Sequence, residues 1–312
     1  MTPDLGPESG FLMRLKSSRL GKLLILLVRW GIPLALLVII AHRLTVLGWR
    51  DIWQARPANI GFYLLLAAQF FMQPLGDYLV YRNLWGRLAT PTMAVILRKR
   101  VMNTFMLDYS GEAFFYFWAQ RNLTLAPGML VHAIKDSNLL SGGASLVMVW
   151  ILGVILLASG GLNIPTLPGQ GWLYVLVGVV PLIACIVLVL AHRKVTVLSR
   201  RQLAATFAIH FLRVCLVLGI EFGLWQLSGA LPSALASLQF VALRLVITRL
   251  PLVPNKDLIF VGAGIAAAGA AAVSVTPVAT VLVILAAADL ILATGVASLP
   301  WLFDLARRKE RA

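Results

Sequence analysis

Seven charged side chains lie within or beside long apolar stretches of this sequence. They are Asp77, Asp108, Glu112, Arg244, Arg249, Lys256 and Asp257. Guanidinium and ammonium groups bind phosphate through charge-assisted hydrogen bonds, whereas carboxylates pair with such bases or bind a cationic headgroup or a coupling proton. A charge at membrane depth costs at least ~2.5 kcal/mol, so each of these residues is a candidate for binding a substrate.

Two of the apolar stretches, about residues 93–120 and 235–272, are interrupted by polar residues that stop helices. The turn residues at the two interruptions are Ser110, Gly111, Pro251, Pro254 and Asn255. In lipid, irregular backbone persists only where protein or a wet cavity surrounds it. We therefore predict two re-entrant helical hairpins, whose helix N-termini favour anionic groups.

The composition indicates an integral membrane protein. Of the 312 residues, 60% are hydrophobic and 12% are charged, and several windows near ~20 residues, enough for one crossing, carry almost no charge. The formal net charge of +15 reflects basic flanks of apolar runs, so we expect no nucleic acid partner. The two cysteines and four histidines show no disulfide or metal-ligand spacing, and no cofactor is expected.

The hydropathy pattern predicts about six full spans in an all-α fold. They lie near residues 23–41, 59–80, 138–158, 172–191, 203–227 and 277–303. With the two hairpins, residues 20–160 read as span, span, hairpin, span, and residues 170–305 repeat that order in the opposite orientation. This arrangement predicts an inverted repeat, as in many transporters. Eight plain spans, two of them kinked, are the alternative.

Basic flanking residues set the expected topology. They place both termini in the cytoplasm and the protein in a plasma or inner membrane. Residues 1–19 are expected to form a cytoplasmic segment and residues 306–312 a basic cytoplasmic tail. No soluble domain is expected beside the single membrane domain at residues 20–305.

Other charged residues receive a structural interpretation from the sequence. Lys99 lies between Arg98 and Arg100 and belongs to the basic flank that follows the second span. Arg213 and Glu221 are two helical turns apart, so they project to the same side of one helix and face the protein interior. We expect these two to bond to neighbouring helices.

The two interruptions also carry a resemblance to a known family. Its segments are Ser110-Gly111-Glu112-Ala113-Phe114, Trp118-Ala119-Gln120-Arg121-Asn122 and Leu250-Pro251-Leu252-Val253-Pro254-Asn255-Lys256-Asp257. They resemble the signatures of the flippase-like family named for the lysylphosphatidylglycerol synthase transmembrane region. Those signatures are a small-Gly-Glu turn before an apolar run and a basic residue, and a Pro-rich turn ending in Gly and Glu.

The resemblance covers about residues 20–305, and it includes two departures. Asn255-Lys256-Asp257 replaces a Gly-rich sequence that ends in Glu, and Asp289 lies near the usual place of a late basic residue. The resemblance implies a membrane domain that moves, or helps to move, a lipid between leaflets.

Three functions remain open at the level of sequence. The first is translocation of a lipid with a phosphate-bearing headgroup, bound at the hairpin tips. The second is a membrane-embedded transferase acting on a lipid-phosphate carrier, which needs a general base or an acid cluster beside an outer loop. The third is a non-transporting subunit of a lipid-synthesis complex. The expected partners are anionic or phosphate-bearing lipids, with a second copy of the chain or lipid-synthesis enzymes as further possibilities.

Overall fold

The computed structural model describes residues 38, 41–42, 44–86, 91–105, 109–161, 196, 198–249 and 256–309, with side chains to residue 298. All regular structure in these residues is helical, and the predicted all-α class is confirmed. In chain order the helices are α1 (Trp49–Gln54), α2 (Ile60–Trp85), α3 (Met93–Phe105), α4 (Ser110–Asn122), α5 (Pro127–Ala158), α6 (Arg200–Ser228), α7 (Ala234–Thr248), α8 (Lys256–Ala270) and α9 (Val275–Lys309).

Several predicted features lie outside the described residues. They are residues 1–19, most of the span near 23–41, the span near 172–191, the end of the basic tail, and the residues Asp108, Pro251, Pro254 and Asn255.

Within the described residues, three helices are long and apolar enough to cross a membrane. They are Pro127–Ala158, Arg200–Ser228 and the Val275–Ser298 part of α9. The shortest of them has 24 residues and is ~36 Å long, against ~30 Å of hydrocarbon. The α5 helix begins at Pro127, well before the predicted start near residue 138, because its first turns contain polar residues that hydropathy excludes from a span.

Four shorter helices form two antiparallel pairs. The α3 and α4 helices have 13 residues each and the α7 and α8 helices have 15 each, so they are ~20 and ~22 Å long and shorter than the hydrocarbon layer. The α3 helix packs on α4, which we call hairpin 1, and α7 packs on α8, which we call hairpin 2. Both predicted interruptions fall where the first helix of a pair ends and the second begins.

The α2 and α6 helices form the central pair of the molecule and run antiparallel. Leu65 of α2 lies beside Gly223 of α6, whereas Asn83, further along α2, donates from its amide to Thr206 Oγ1 at 3.1 Å. Residue numbers therefore rise along α2 as they fall along α6. Each helix begins with a polar cap: Asn59 accepts from the Gly61 amide, and Ser199 forms a capping box with Gln202.

The order of long, short, short and long helix occurs twice, as α2 to α5 and as α6 to α9. The packing follows the same rule. The α2 helix packs on α3 as α6 packs on α7, and α4 packs on α5 as α8 packs on α9. The last helix of each group also packs on the hairpin of the other group, α5 on α7 and α9 on α3. The two groups of four helices therefore share the same order of packing, and each group contacts the hairpin of the other.

Candidate functional site

Lys99 is the centre of a buried set of charges between α2 and hairpin 1. Its ammonium nitrogen lies 2.7 Å from Asp77 Oδ2 and 3.3 Å from Glu112 Oε1. The rings of Tyr81 and Phe115 lie 5.5 and 5.7 Å from the same nitrogen. Lys99 is only 3% exposed. Such a cation is stabilised by its carboxylate partners and by the aromatic faces, and it fastens hairpin 1 to α2.

Arg213 of α6 completes this set, which we call cluster 1 (Asp77, Lys99, Glu112 and Arg213). Its Nη1 lies 3.3 Å from Asp77 Oδ1, and its Nη2 donates to Ser141 Oγ at 2.8 Å. A Cβ atom at Gly76 would lie 2.5 Å from Arg213 Cδ, so the absence of a side chain there gives the arginine its space. Two acids and two bases make cluster 1 electrically balanced.

The turn of hairpin 1 is held by side chains of α3. Asn103 accepts from the Gly111 amide at 2.6 Å and donates to Glu112 Oε2 at 3.0 Å. Ser110 Oγ donates to the Met102 carbonyl at 2.8 Å. A Cβ atom at Gly111 would collide with the Lys99 carbonyl oxygen and the Asn103 side chain. Glycine at this position therefore allows the two arms to approach closely.

A second set of charges joins α6 to hairpin 2, and we call it cluster 2 (Glu221, Arg244 and Asp257). Arg244 Nη1 lies 3.7 Å from Glu221 Oε2, and Arg244 Nη2 lies 3.4 Å from Asp257 Oδ1. The guanidinium also lies 5.4 Å from the centre of the Phe260 ring. Glu221 is 2% exposed. The arginine thus fastens hairpin 2 to α6 as Lys99 fastens hairpin 1 to α2.

The two clusters are built on the same sequence spacing. Glu112 follows Lys99 by thirteen residues, and Asp257 follows Arg244 by thirteen. In each hairpin the aromatic ring under the cation belongs to the residue three positions after the acid, Phe115 or Phe260. In each group the remaining acid lies towards the C-terminal end of the long helix that precedes the hairpin, at Asp77 or Glu221.

The clusters lie at two levels of the central helix pair. Arg213 of cluster 1 and Glu221 of cluster 2 are eight residues apart on α6, which corresponds to ~12 Å along the helix axis. Because α2 and α6 are antiparallel, Asp77 and Glu221 lie towards opposite ends of the pair.

Arg249 lies at the end of α7, within electrostatic range of hairpin 1. It is the C-terminal cap of α7 and interacts electrostatically with Arg213 and with Tyr109. Tyr109 precedes α4 and has a left-handed backbone, with φ 70°. Arg249 is exposed, and it forms no ion pair with any residue that the structure describes.

Arg100 connects hairpin 1 to the second group of helices. Its Nη2 lies 2.5 Å from Asp289 Oδ1 on α9, its Nη1 donates to Gln73 Oε1 at 3.0 Å, and its guanidinium lies 4.4 Å from the centre of the Phe70 ring. Asp289 departs from the family resemblance, and here it is the partner of a base from the other group.

An open groove of about 480 Å³ follows one face of α4 from the tip of hairpin 1 to its base. Its lining is apolar except at the two ends and consists of Met102, Ser110, Ala113, Phe114, Phe117, Trp118, Arg121 and Asn122. Ser110 lies at the tip, and Arg121 and Asn122 lie at the base. The groove therefore offers an apolar track with a cation at one end.

The structure divides the predicted site residues into groups. Asp77 and Glu112 lie in cluster 1, Arg244 and Asp257 lie in cluster 2, Arg249 lies at the hairpin tip, and Lys256 begins α8. Arg213 and Glu221 bond to neighbouring helices, as their spacing predicts.

Lys99 was assigned from sequence to a basic flank, and that assignment is wrong, because the side chain is buried between two acids. A signal was present in the sequence: the thirteen-residue spacing of Lys99 and Glu112 recurs in Arg244 and Asp257.

Comparisons with known proteins give no family assignment. No family model matches the chain, and no curated protein and no solved structure matches it.

Proposed function

We propose that this chain is a flippase-like membrane protein that moves a lipid with a phosphate-bearing headgroup between leaflets. In this proposal hairpins 1 and 2 re-enter the membrane from opposite faces and their tips meet near its centre. The observation that carries the proposal is the position of Arg249 at the end of α7, where it lies within electrostatic range of Tyr109 of hairpin 1 and has no acid partner among the described residues.

The inverted repeat is supported by the antiparallel packing of corresponding helices. The α2 and α6 helices hold the same place in the two groups of four, and they run in opposite directions. Hairpins that follow antiparallel helices enter the membrane from opposite faces. The arms of ~20 and ~22 Å suit loops that end inside the bilayer, since a span needs ~30 Å. Six full spans, cytoplasmic termini and a plasma or inner membrane location belong to the same proposal.

A phosphate bound at Arg249 would be the central site of the path. The other intramembrane cations, Lys99, Arg213 and Arg244, already have carboxylate partners. Arg249, at the end of the first arm of hairpin 2, has no carboxylate partner among the described residues, and its donors would form charge-assisted hydrogen bonds to a lipid phosphate. The Tyr109 hydroxyl is a further donor at the start of α4.

The groove along α4 supports a lipid as the cargo. Phe114, Phe117 and Trp118 provide an apolar surface that continues from the base of hairpin 1 to its tip. A headgroup that moves along this hairpin can keep its acyl chains in the lipid, while Arg121 provides a first cationic contact at the base. A soluble phosphate compound would have no use for such an apolar track.

Purified protein in vesicles with fluorescent phosphatidylglycerol tests the function. We expect wild-type protein to expose inner-leaflet lipid to a membrane-impermeant quencher, with no donor substrate added. Loss of charge-assisted hydrogen bonds of about 1.5–3 kcal/mol predicts at least a ~10-fold slower exchange for Arg249→Ala. Glu112→Gln should slow exchange as well, because it weakens the attachment of hairpin 1.

Arg98→Ala is the matched control for the arginine variant. Arg98 is an exposed arginine of hairpin 1, so its removal should leave exchange unchanged. Two results would refute the proposal. One is lipid exchange that is as fast with Arg249→Ala as with wild type, and the other is wild-type exchange that is no faster than in protein-free vesicles. A new covalent lipid product would instead identify a transferase.

A further inference from the structure

Cluster 2 differs from cluster 1 in how its buried acid is paired. In cluster 1 the carboxylates of Asp77 and Glu112 pair with Lys99 and Arg213, at distances of 2.7–3.3 Å. In cluster 2 Arg244 pairs with both Glu221 and Asp257, and its distance to the buried Glu221 is the longer of the two, at 3.7 Å. The clusters share their spacing and their aromatic residue, so the weak pairing of Glu221 distinguishes otherwise matched sites.

Glu221 is the acid of cluster 2 that lacks hydrogen-bond partners among the described residues. Its Oε1 atom is buried and has no hydrogen-bond partner among the described residues. Its Oε2 atom lies 3.7 Å from Arg244 Nη1, which is too long for a hydrogen bond, and Arg244 Nη1 also lacks a hydrogen-bond partner there. An ionised carboxylate oxygen without a partner in an apolar interior is strongly disfavoured, because nothing replaces the water it has lost.

Neither of the other described helices packed on α6, α2 and α5, brings a neutralising charge to the level of Glu221. The α2 helix has no charged residue before Asp77, which lies at the level of Arg213, and α5 has none after Asp136. From hairpin 2 the facing groups are Arg244 and Asp257.

A third acid acts on Arg244 from further away. Asp289 of α9 interacts with Arg244 at longer range and has Arg100 as its own partner. Asp289 therefore adds no cation beside Glu221.

We propose that Glu221 binds a proton, and that this site is linked to the position of hairpin 2. The carboxylate takes up one proton on Oε1 to form the neutral acid, and no other bond changes. The Asp257 side chain, by contrast, is 47% exposed and therefore reached by water. With the proton on Oε1, the buried Glu221 oxygen that lacks a partner no longer belongs to an ionised carboxylate.

The link to hairpin 2 follows from the contacts of Glu221. Arg244 joins the acid to α7, so separating hairpin 2 from α6 removes the cation and admits water to the carboxylate. Hydrated glutamate is ionised at neutral pH. Opening of hairpin 2 therefore releases the proton, and closure takes it up again. In a membrane with a proton gradient, such a site would bias the direction in which the hairpin moves.

Infrared difference spectra of the whole protein in lipid nanodiscs test the site directly. Between about pH 7 and about pH 10 we expect wild-type protein to lose a carbonyl stretch of a protonated carboxylic acid. Glu221→Gln should lack this band at both pH values. Glu112→Gln, the matched change in cluster 1, should keep it. A band that is absent from wild type at about pH 7, or present unchanged in Glu221→Gln, would overturn the proposal.

Thermal unfolding gives a second readout. A proton held by the folded state makes stability fall as pH rises, since unfolded glutamate releases it. Between about pH 6 and about pH 9, the melting temperature of wild type should fall more than that of Glu221→Gln. Equal slopes would contradict a proton on Glu221.

Two further outcomes separate the ligand and the function. If sodium chloride in place of choline chloride removed the infrared band at about pH 7, an alkali ion would be the ligand, and a proton would be the wrong assignment. If the band were as expected and lipid exchange were absent, lipid translocation would be refuted while the proton site remained.

Discussion

Lys99 and Arg244 hold the same place in two successive helical hairpins. Each lies on the first arm, pairs with an acid thirteen residues further along and with an acid on the preceding long helix, and rests against a phenylalanine. Because these ion pairs join each hairpin to its long helix, the two cations attach the hairpins to the rest of the bundle.

Replacing Lys99 with methionine should destabilise the fold strongly. Methionine has about the side-chain volume of lysine but no charge. Glu112 then has no cation, and Asp77 keeps only Arg213. We expect a loss of about 3 kcal/mol of unfolding free energy. Adding Glu112→Gln should recover part of the loss, because Asp77 still pairs with Arg213 and no carboxylate of cluster 1 then lacks a cation. Thermal unfolding in detergent measures both effects.

The neighbouring arginine provides the control for this comparison. Arg98 is exposed, so Arg98→Met should change the free energy of unfolding by no more than about 0.5 kcal/mol. Equal losses of unfolding free energy in Lys99→Met and Arg98→Met would show that Lys99 does not attach hairpin 1 to α2.

Gly111→Ala should separate the arms of hairpin 1. The new Cβ would collide with the Lys99 carbonyl oxygen and the Asn103 side chain, and we expect a loss of about 1–3 kcal/mol. Gly143→Ala on α5 is the matched control, since no atom lies within 4 Å of its added Cβ. That variant should be neutral or more stable by about 0.5–1 kcal/mol, as expected for alanine inside a helix. A neutral Gly111→Ala would contradict the close approach.

The Arg100 to Asp289 pair predicts coupling between hairpin 1 and α9. Asp289→Asn should cost about 1.5–3 kcal/mol, because it weakens a hydrogen bond to a charged, half-buried group. Exchanging the charges, Arg100→Asp with Asp289→Arg, should recover part of that loss. Asp51→Asn, at an exposed acid, serves as the control and should change stability little. If the exchanged pair were as unstable as the sum of its single variants, the two residues would not be coupled.

The groove along α4 predicts a defect in transport without a defect in folding. Phe117 is 55% exposed and lines the groove, so Phe117→Ala should slow lipid exchange while the melting temperature stays near that of wild type. Val154→Ala, at an equally exposed apolar residue of α5 (56%) outside the groove, should leave exchange unchanged. Equal exchange rates in the two variants would remove the groove from the lipid path.

The hairpins could be predicted from sequence because their signals are local. A glycine at the first turn, and prolines with charged residues at the second, interrupt apolar runs that are otherwise continuous. Each arm is too short for a span, so the interruption fixes the ends of both helices within a few residues. The long helices α6 and α9 could also be predicted from sequence, since their apolar runs are longer than the thickness of the hydrocarbon layer.

The pairing of charges could not be predicted in the same way. Whether Lys99 or Arg98 faces the core depends on how α3 rotates against α2, which is a tertiary contact. A row of basic residues beside an apolar run is typical of cytoplasmic anchors, so the sequence alone does not distinguish the buried Lys99 from Arg98 and Arg100. The start of α5 was missed for a similar reason: Asp136 is polar in sequence but is buried and accepts from Thr196 Oγ1.

Cross-linking of the two hairpin tips tests the central claim most directly. In a background without Cys185 and Cys215, Tyr109→Cys and Arg249→Cys should join through a short bifunctional maleimide, since the proposal has the tips meet inside the bilayer. The pair Tyr109→Cys and Ser233→Cys, at the base of hairpin 2, should not join. If Tyr109→Cys and Arg249→Cys failed to cross-link and each reacted with impermeant maleimide from a different side of the membrane, the helices would be full spans.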